Sequence, residues 1–162
     1  MIVVSNTSPV LNLARIGRLE LLPALYDQVL IPSALYEVLL ASKRDLLPAI
    51  DLASAGWLIV AIAQDQDRVQ KLSEDLDPGE AEAIVLAIER QADLLLVDER
   101  RARRTATAAG LAVTGLLGIA ARAKRAGLIA LAKPVLDELI HVAGFWIGPE
   151  LYVELLKELG KT

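Results

Sequence analysis

Six oxygen-bearing side chains, far apart in sequence, stand where a fold would turn them toward one point. Asp98 and Glu99 close the apolar run Leu94-Leu95-Leu96-Val97, Glu80 and Glu82 lie just inside a helix start, and Glu37 sits in an otherwise apolar helical stretch. The first apolar segment runs into the polar turn Asn6-Thr7-Ser8-Pro9. Carboxylates gathered at strand ends make a site for a hard divalent cation, and such sites serve phosphodiester chemistry by polarising a phosphate and activating a water. Asn6 departs from that pattern, because it places an amide where an acid is expected.

Each of these residues also has a purely structural reading. Asp77-Pro78-Gly79-Glu80 is a helix start with Asp as N-cap, Pro at the first helical position and Glu three residues on, so Glu80 can be explained as half of a capping box. Asp98 can cap the segment that follows it, and Asn6 can cap the helix after the first strand. Glu37 shares a helix face with Ser33 and reads equally as an exposed residue. Arg100, Arg101, Arg103 and Arg104 follow Asp98 directly, and Arg122, Lys124 and Arg125 form a second cluster. They form either a basic rim for phosphates or a solvated helix face.

Other chemistries lack their residues. The chain has no cysteine, hence no disulfide and no thiolate metal site, and its single histidine, His141, supports neither a His-rich metal centre nor a hydrolase triad. No Gly-x-Gly-x-x-Gly, Walker A or Gly-x-Ser-x-Gly sequence occurs. Trp57, Phe145 and Trp146 read as packing residues, since no aromatic platform with basic interleaving is visible. A net charge of −4 and a pI near 5.1 exclude a uniformly basic nucleic-acid binder. Mean hydropathy is high at +0.45, yet charges interrupt every apolar run below the roughly 18–20 residues of a membrane span, and no basic segment precedes the N-terminal apolar residues. A cytoplasmic protein without a membrane segment is expected.

The elements that must position these side chains follow from periodicity. Short β-branched or uniformly apolar runs predict strands over residues 1–5, 28–31, 57–61, 94–97 and 111–114. Between and after them, helices are predicted over 9–16, 19–25, 32–41, 43–55, 66–76, 78–90, 100–109, 116–126, 134–142 and 149–159. Strands alternating with helices predict a three-layer α/β/α sandwich with a mainly parallel sheet of about four to five strands, and 162 residues without a linker predict one domain over 1–162. In open parallel sheets, sites form at the carboxyl ends of the strands. Asn6 and Asp98 both follow strands, whereas the edge reached by Glu80 stays open at this stage.

The stretches Val3-Val4-Ser5-Asn6-Thr7-Ser8-Pro9, Ile31-Pro32-Ser33-Ala34-Leu35-Tyr36-Glu37-Val38, Asp77-Pro78-Gly79-Glu80-Ala81-Glu82-Ala83-Ile84 and Leu95-Leu96-Val97-Asp98-Glu99-Arg100 resemble the PIN-domain superfamily. More narrowly, with Thr114-Gly115-Leu116-Leu117-Gly118-Ile119 and the Gly144-Phe145 tail, they resemble a prokaryotic branch related to the toxin nucleases of VapBC toxin–antitoxin systems. The resemblance implies a ribonuclease dependent on Mg²⁺ or Mn²⁺, an RNA substrate, an antitoxin partner and a homodimer. It puts the four acidic positions on Asn6, Glu37, Glu80 and Asp98, the following hydroxyl on Thr7 or Ser8, and assisting acids on Glu82 and Glu99. Asn6 can still offer an oxygen to a cation, but it brings no charge and accepts no proton. The expectation is therefore a weak, Mn²⁺-favouring nuclease or, as the alternative, a catalytically silent PIN-fold protein that binds RNA or a protein partner.

Overall fold

The computed structural model describes residues 1–41 and 56–160 of the chain. The helix predicted over 43–55 lies outside the described residues. Five strands, β1 (Val3–Ser5), β2 (Val29–Pro32), β3 (Leu58–Ala61), β4 (Leu94–Leu96) and β5 (Val113–Thr114), form one sheet in the order β3-β2-β1-β4-β5. Every pairing is parallel, with Val4 opposite Leu30, Ser5 opposite Leu96, and Leu96 opposite Thr114. The described helices are α1 (Thr7–Arg15), α2 (Leu21–Tyr26), α3 (Ser33–Ala41), α4 (Gln66–Leu72), α5 (Pro78–Glu89), α6 (Arg100–Ala108), α7 (Leu116–Arg125), α8 (Ala132–His141) and α9 (Pro149–Leu159).

Alternation along the strands builds two cores. Val3, Val29, Ile31 and Leu96 point to a face covered by α1, α2, α7 and α8, where Leu13, Leu22, Ile119 and Leu136 are buried. Val4, Leu95 and Val97 point to the opposite face, covered by α4, α5 and α6 through Val69, Ile84, Leu86, Ala102 and Ala106. Adjacent residues of one short strand thus serve opposite cores, as the two-residue period of a pleated strand requires. This is the expected three-layer sandwich. Truncating Leu95 or Leu96 to alanine would open a cavity on one side or the other, a loss of about 2–5 kcal/mol.

Boundaries differ from expectation where local signals compete. Pro32 ends β2 instead of opening the next helix, and α3 begins at Ser33. The reason lies across the fold: the Glu82 carboxylate accepts hydrogen bonds from the Ser33 backbone N–H at 3.0 Å and its hydroxyl at 2.7 Å, fixing the helix start there. The helix predicted over 66–76 is shorter, α4 ending at Leu72, and α8 starts at Ala132, two residues before Pro134.

Candidate active site

The carboxyl ends of β1 and β4 lie side by side in the middle of the sheet, and the Asn6 N–H extends their ladder by donating to the Leu96 carbonyl at 2.9 Å. Asn6 and Asp98 therefore leave the sheet at the same edge. The crossover helix α5 runs antiparallel to the strand it feeds, so its N-terminus returns to that edge. A Cβ placed on Gly79 in its first turn would sit 3.4 Å from Thr7 Oγ1 and 3.8 Å from Asn6 Oδ1. The open question about Glu80 is thereby answered. A cleft of about 500 Å³ is lined by Asn6, Thr7, Ser8, Asn12, Arg15, Asp77, Glu80, Asp98, Glu99, Phe145 and Trp146.

Asp98 is held on both oxygens. Its Oδ1 accepts from the Leu116 N–H at 2.8 Å, so it caps α7 instead of the helix that follows it in sequence. Its Oδ2 accepts from the Ser8 hydroxyl at 3.4 Å; Asn12 Nδ2 donates to that hydroxyl at 3.0 Å, and Arg15 donates to Asn12 Oδ1 at 3.2 Å. Gly115 leaves the room this needs, since a Cβ there would lie 2.3 Å from Asp98 Oδ1. Burial pushes the Asp98 carboxyl above its ordinary range, and the Leu116 amide, the Ser8 hydroxyl and the Arg103 guanidinium draw it back in part.

Glu80 and Asn6 are held differently. The capping box forms: Asp77 Oδ1 accepts from the Glu80 N–H at 2.7 Å, and Glu80 Oε1 accepts from the Asp77 N–H at 3.3 Å. The other Glu80 oxygen, Oε2, is buried with no hydrogen-bond partner. Burial, then the shared hydrogen bond with Asp77 and its negative charge, push the Glu80 carboxyl up to about 7; the Asp77 N–H opposes this and Glu99 adds to it. Asn6 occupies the N-cap position of α1, but its side chain makes no cap bond, and its Oδ1 is buried and unpartnered. A buried polar atom without a partner costs about 1–3 kcal/mol; a proton shared with Asp77 can offset that cost at Glu80, and Asn6 Oδ1 has no such relief.

The remaining predicted residues are distributed around this cleft. Glu99 lines it from the N-cap position of α6, exposed and without a cap bond. Glu37 is exposed and does not line the cleft. Glu82 is buried and committed to Ser33. Arg100, Arg103 and Arg104 line a second, open hollow that shares Asp98 with the first, while Arg101 turns away and donates to the Asp75 carbonyl at 3.1 Å. His141 is exposed.

Several lining residues had not been singled out. Ser8, Asn12 and Arg15 recur at i, i+4 and i+7, a polar stripe on an otherwise apolar helix, and that spacing was the signal for Asn12 and Arg15. Trp146 was expected to pack; instead it is 81% exposed on the cleft rim, whereas Phe145 and Trp57 do pack against the core.

A model of the DUF3368 family, described as a PIN domain, matches residues 2–161. The chain belongs to this family. No curated protein and no solved structure matches it. PIN domains are generally dependent on a divalent metal, which can be weighed against the residues of this one. Among the described residues, no three His, Cys, Asp or Glu side chains stand together as an ion-holding cluster. An ion of the Mg²⁺ type requires only one or two protein carboxylates and completes its shell with water and substrate oxygens. The PIN domain offers the unpartnered oxygens of Asn6 and Glu80 in the cleft that Asp98 also lines, and a cation there would offset the burial that chiefly raises the Glu80 carboxyl and the negative charge of Asp77 and Glu99 that adds to it. The donor chemistry fits. Among the described residues, no helix is long and apolar enough to cross a membrane.

Proposed function

We propose that this PIN domain is a metal-dependent endoribonuclease whose turnover is low because Asn6 stands at an acidic position. The observation that carries the reading is the pair of buried, unpartnered oxygens, Asn6 Oδ1 and Glu80 Oε2, in the cleft that also holds Asp98. Glu80, Asp98 and the Asn6 oxygen would hold Mg²⁺ or Mn²⁺, which when bound supplies charge neutralisation for a phosphate and acidifies an attacking water. The Asp77 N–H holds Glu80 at Oε1, which leaves Oε2 as the oxygen available to that cation. Asp98 keeps one geometry because Leu116 and Ser8 hold it, and Arg15 and Arg103 bring positive charge to a bound phosphate.

The resemblance to toxin nucleases, rather than anything in the cleft, extends the proposal to a cytoplasmic toxin restrained by an antitoxin. For a homodimer the supporting surface is the exposed apolar set Leu131, Val142, Leu151 and Val153. Asn6 and the position of Glu37 outside the cleft favour the second reading, a silent PIN domain that binds RNA or a protein partner.

The test is cleavage of a mixed structured RNA in Mn²⁺ by the purified protein, with Asp98→Ala as control and Asn6→Asp as the gain variant. Metal-dependent cleavage that is lost in the control and rises about tenfold or more in Asn6→Asp supports a nuclease. Cleavage only by Asn6→Asp supports the silent reading, and no cleavage by any form overturns the nuclease assignment.

A further inference from the structure

Trp146 is the largest exposed apolar side chain of the described residues that borders the cleft: 81% of it is open to solvent, and it lines the same hollow as Asn6, Glu80 and Asp98. Its placement is defined from both sides. Gly144 turns the chain at φ +74°, and the indole edge lies over Gly148, where an added Cβ would meet Trp146 Cη2 at 3.4 Å. Ile147 and Phe145 on either side pack into the core and anchor the segment. The ring is thus fixed at one edge and bare over most of its surface. An indole left in water beside a polar cleft forgoes about 2–3 kcal/mol of burial, and a flat π-surface at the rim of a cleft of about 500 Å³ is what an unpaired nucleobase stacks on.

We infer that Trp146 stacks on a base of single-stranded RNA whose adjoining phosphate enters the Asp98 cleft. Bases of an A-form duplex are already stacked and have no free face to offer, so the platform selects unpaired segments. Arg15, also on the cleft wall, meets the backbone of the same strand. The inference rests on the ribonuclease reading of the cleft and adds a recognition residue to it.

The experiment uses the full chain in EDTA, so that nothing is cleaved. It follows two signals: anisotropy of a labelled short single-stranded RNA, which reports binding of any kind, and tryptophan fluorescence, which reports stacking. The same RNA as a duplex, and a version lacking its bases, are run beside it. Quenching by the single strand alone is expected, absent in Trp146→Ala. The affinity of that variant for the single strand should fall about tenfold, the size of one lost base–aromatic stack, and Trp146→Phe should recover part of it. Full binding by Trp146→Ala with no quenching in the parent overturns the stacking role and leaves the nuclease reading intact. No binding of any RNA overturns the stacking role, and cleavage in Mn²⁺ then decides the nuclease reading separately.

Discussion

The two sides of the cleft treat their polar atoms in opposite ways. On the β4 side, Asp98 has a partner for each oxygen, one from the first N–H of α7 and one from Ser8. In the same cleft, Asn6 Oδ1 and Glu80 Oε2 are buried and have none. Hydrogen bonding offsets the cost of burying a polar group, so the Asp98 side is explained by folding alone and the other side is not. A residue whose position after a strand singles it out can therefore owe its place largely to the scaffold. A glutamate that looks like an ordinary helix cap can have one oxygen on the cap and another buried without a partner.

The largest effect that tests this contrast is expected from Asp98→Ala. It strands the Leu116 N–H and should cost about 1–3 kcal/mol, read as a fall in Tm or in the denaturant midpoint. Asn6→Ala, on the other side, removes a buried oxygen that has no partner and should raise stability by about 1 kcal/mol, the orphan's cost of about 1–3 kcal/mol less the packing the side chain gives up. Equal losses in the two variants would abolish the distinction. Asp98→Asn, which keeps an acceptor for Leu116, should hold most of the stability while still removing the charge any cation requires.

Gly115→Ala probes the same anchor from the backbone. The added Cβ would stand 2.3 Å from Asp98 Oδ1 and 3.1 Å from an Arg103 nitrogen, so the carboxylate must swing off the Leu116 N–H. A loss of about 1–2 kcal/mol is expected, somewhat below Asp98→Ala because the carboxylate can move to solvent and not vanish. A variant as stable as the parent would mean that Asp98 has a second position as good as the first.

Local chemistry was legible in the sequence, and contacts between distant segments were not. The capping box of Asp77 and Glu80 could be read because all its atoms lie within four residues. The inner strand β4 before Asp98 could be read because an uninterrupted apolar run bounded by charges suits a strand covered on both faces. The bond from Leu116 to Asp98 spans 18 residues, and that from Ser33 to Glu82 spans 49; no periodicity encodes either. That is why the structural alternative for Asp98, a cap on the segment after it, missed α7, and why Pro32 looked like a helix start. The sequence around Trp146 shows no aromatic platform with basic interleaving, so the outward turn of the ring has no local signal. Its neighbours Phe145 and Ile147 do fill the core, and the ring between them is turned outward.

The smallest effect concerns how stability varies with pH, and it isolates the unpartnered side. The Glu80 carboxyl stands at about 7 in the folded chain against an ordinary value of 4.5. Between those values the folded state binds more protons than the unfolded one, so folding stability falls as pH rises. The Glu80 contribution is fully present below about pH 4.5 and is gone above about pH 7. Urea unfolding in EDTA across this window should show that decline in the parent and a flatter curve in Glu80→Gln, which stays neutral throughout. Other carboxylates slope the other way, so the difference between the two proteins is the quantity to follow. Adding Mn²⁺ should counter the decline, because a cation binds the ionised carboxylate and stabilises the form that EDTA leaves exposed to its neighbours' charge. Parallel curves for the parent and Glu80→Gln would mean that Oε2 is solvated in solution, and the contrast between the two sides of the cleft would then rest on Asn6 alone.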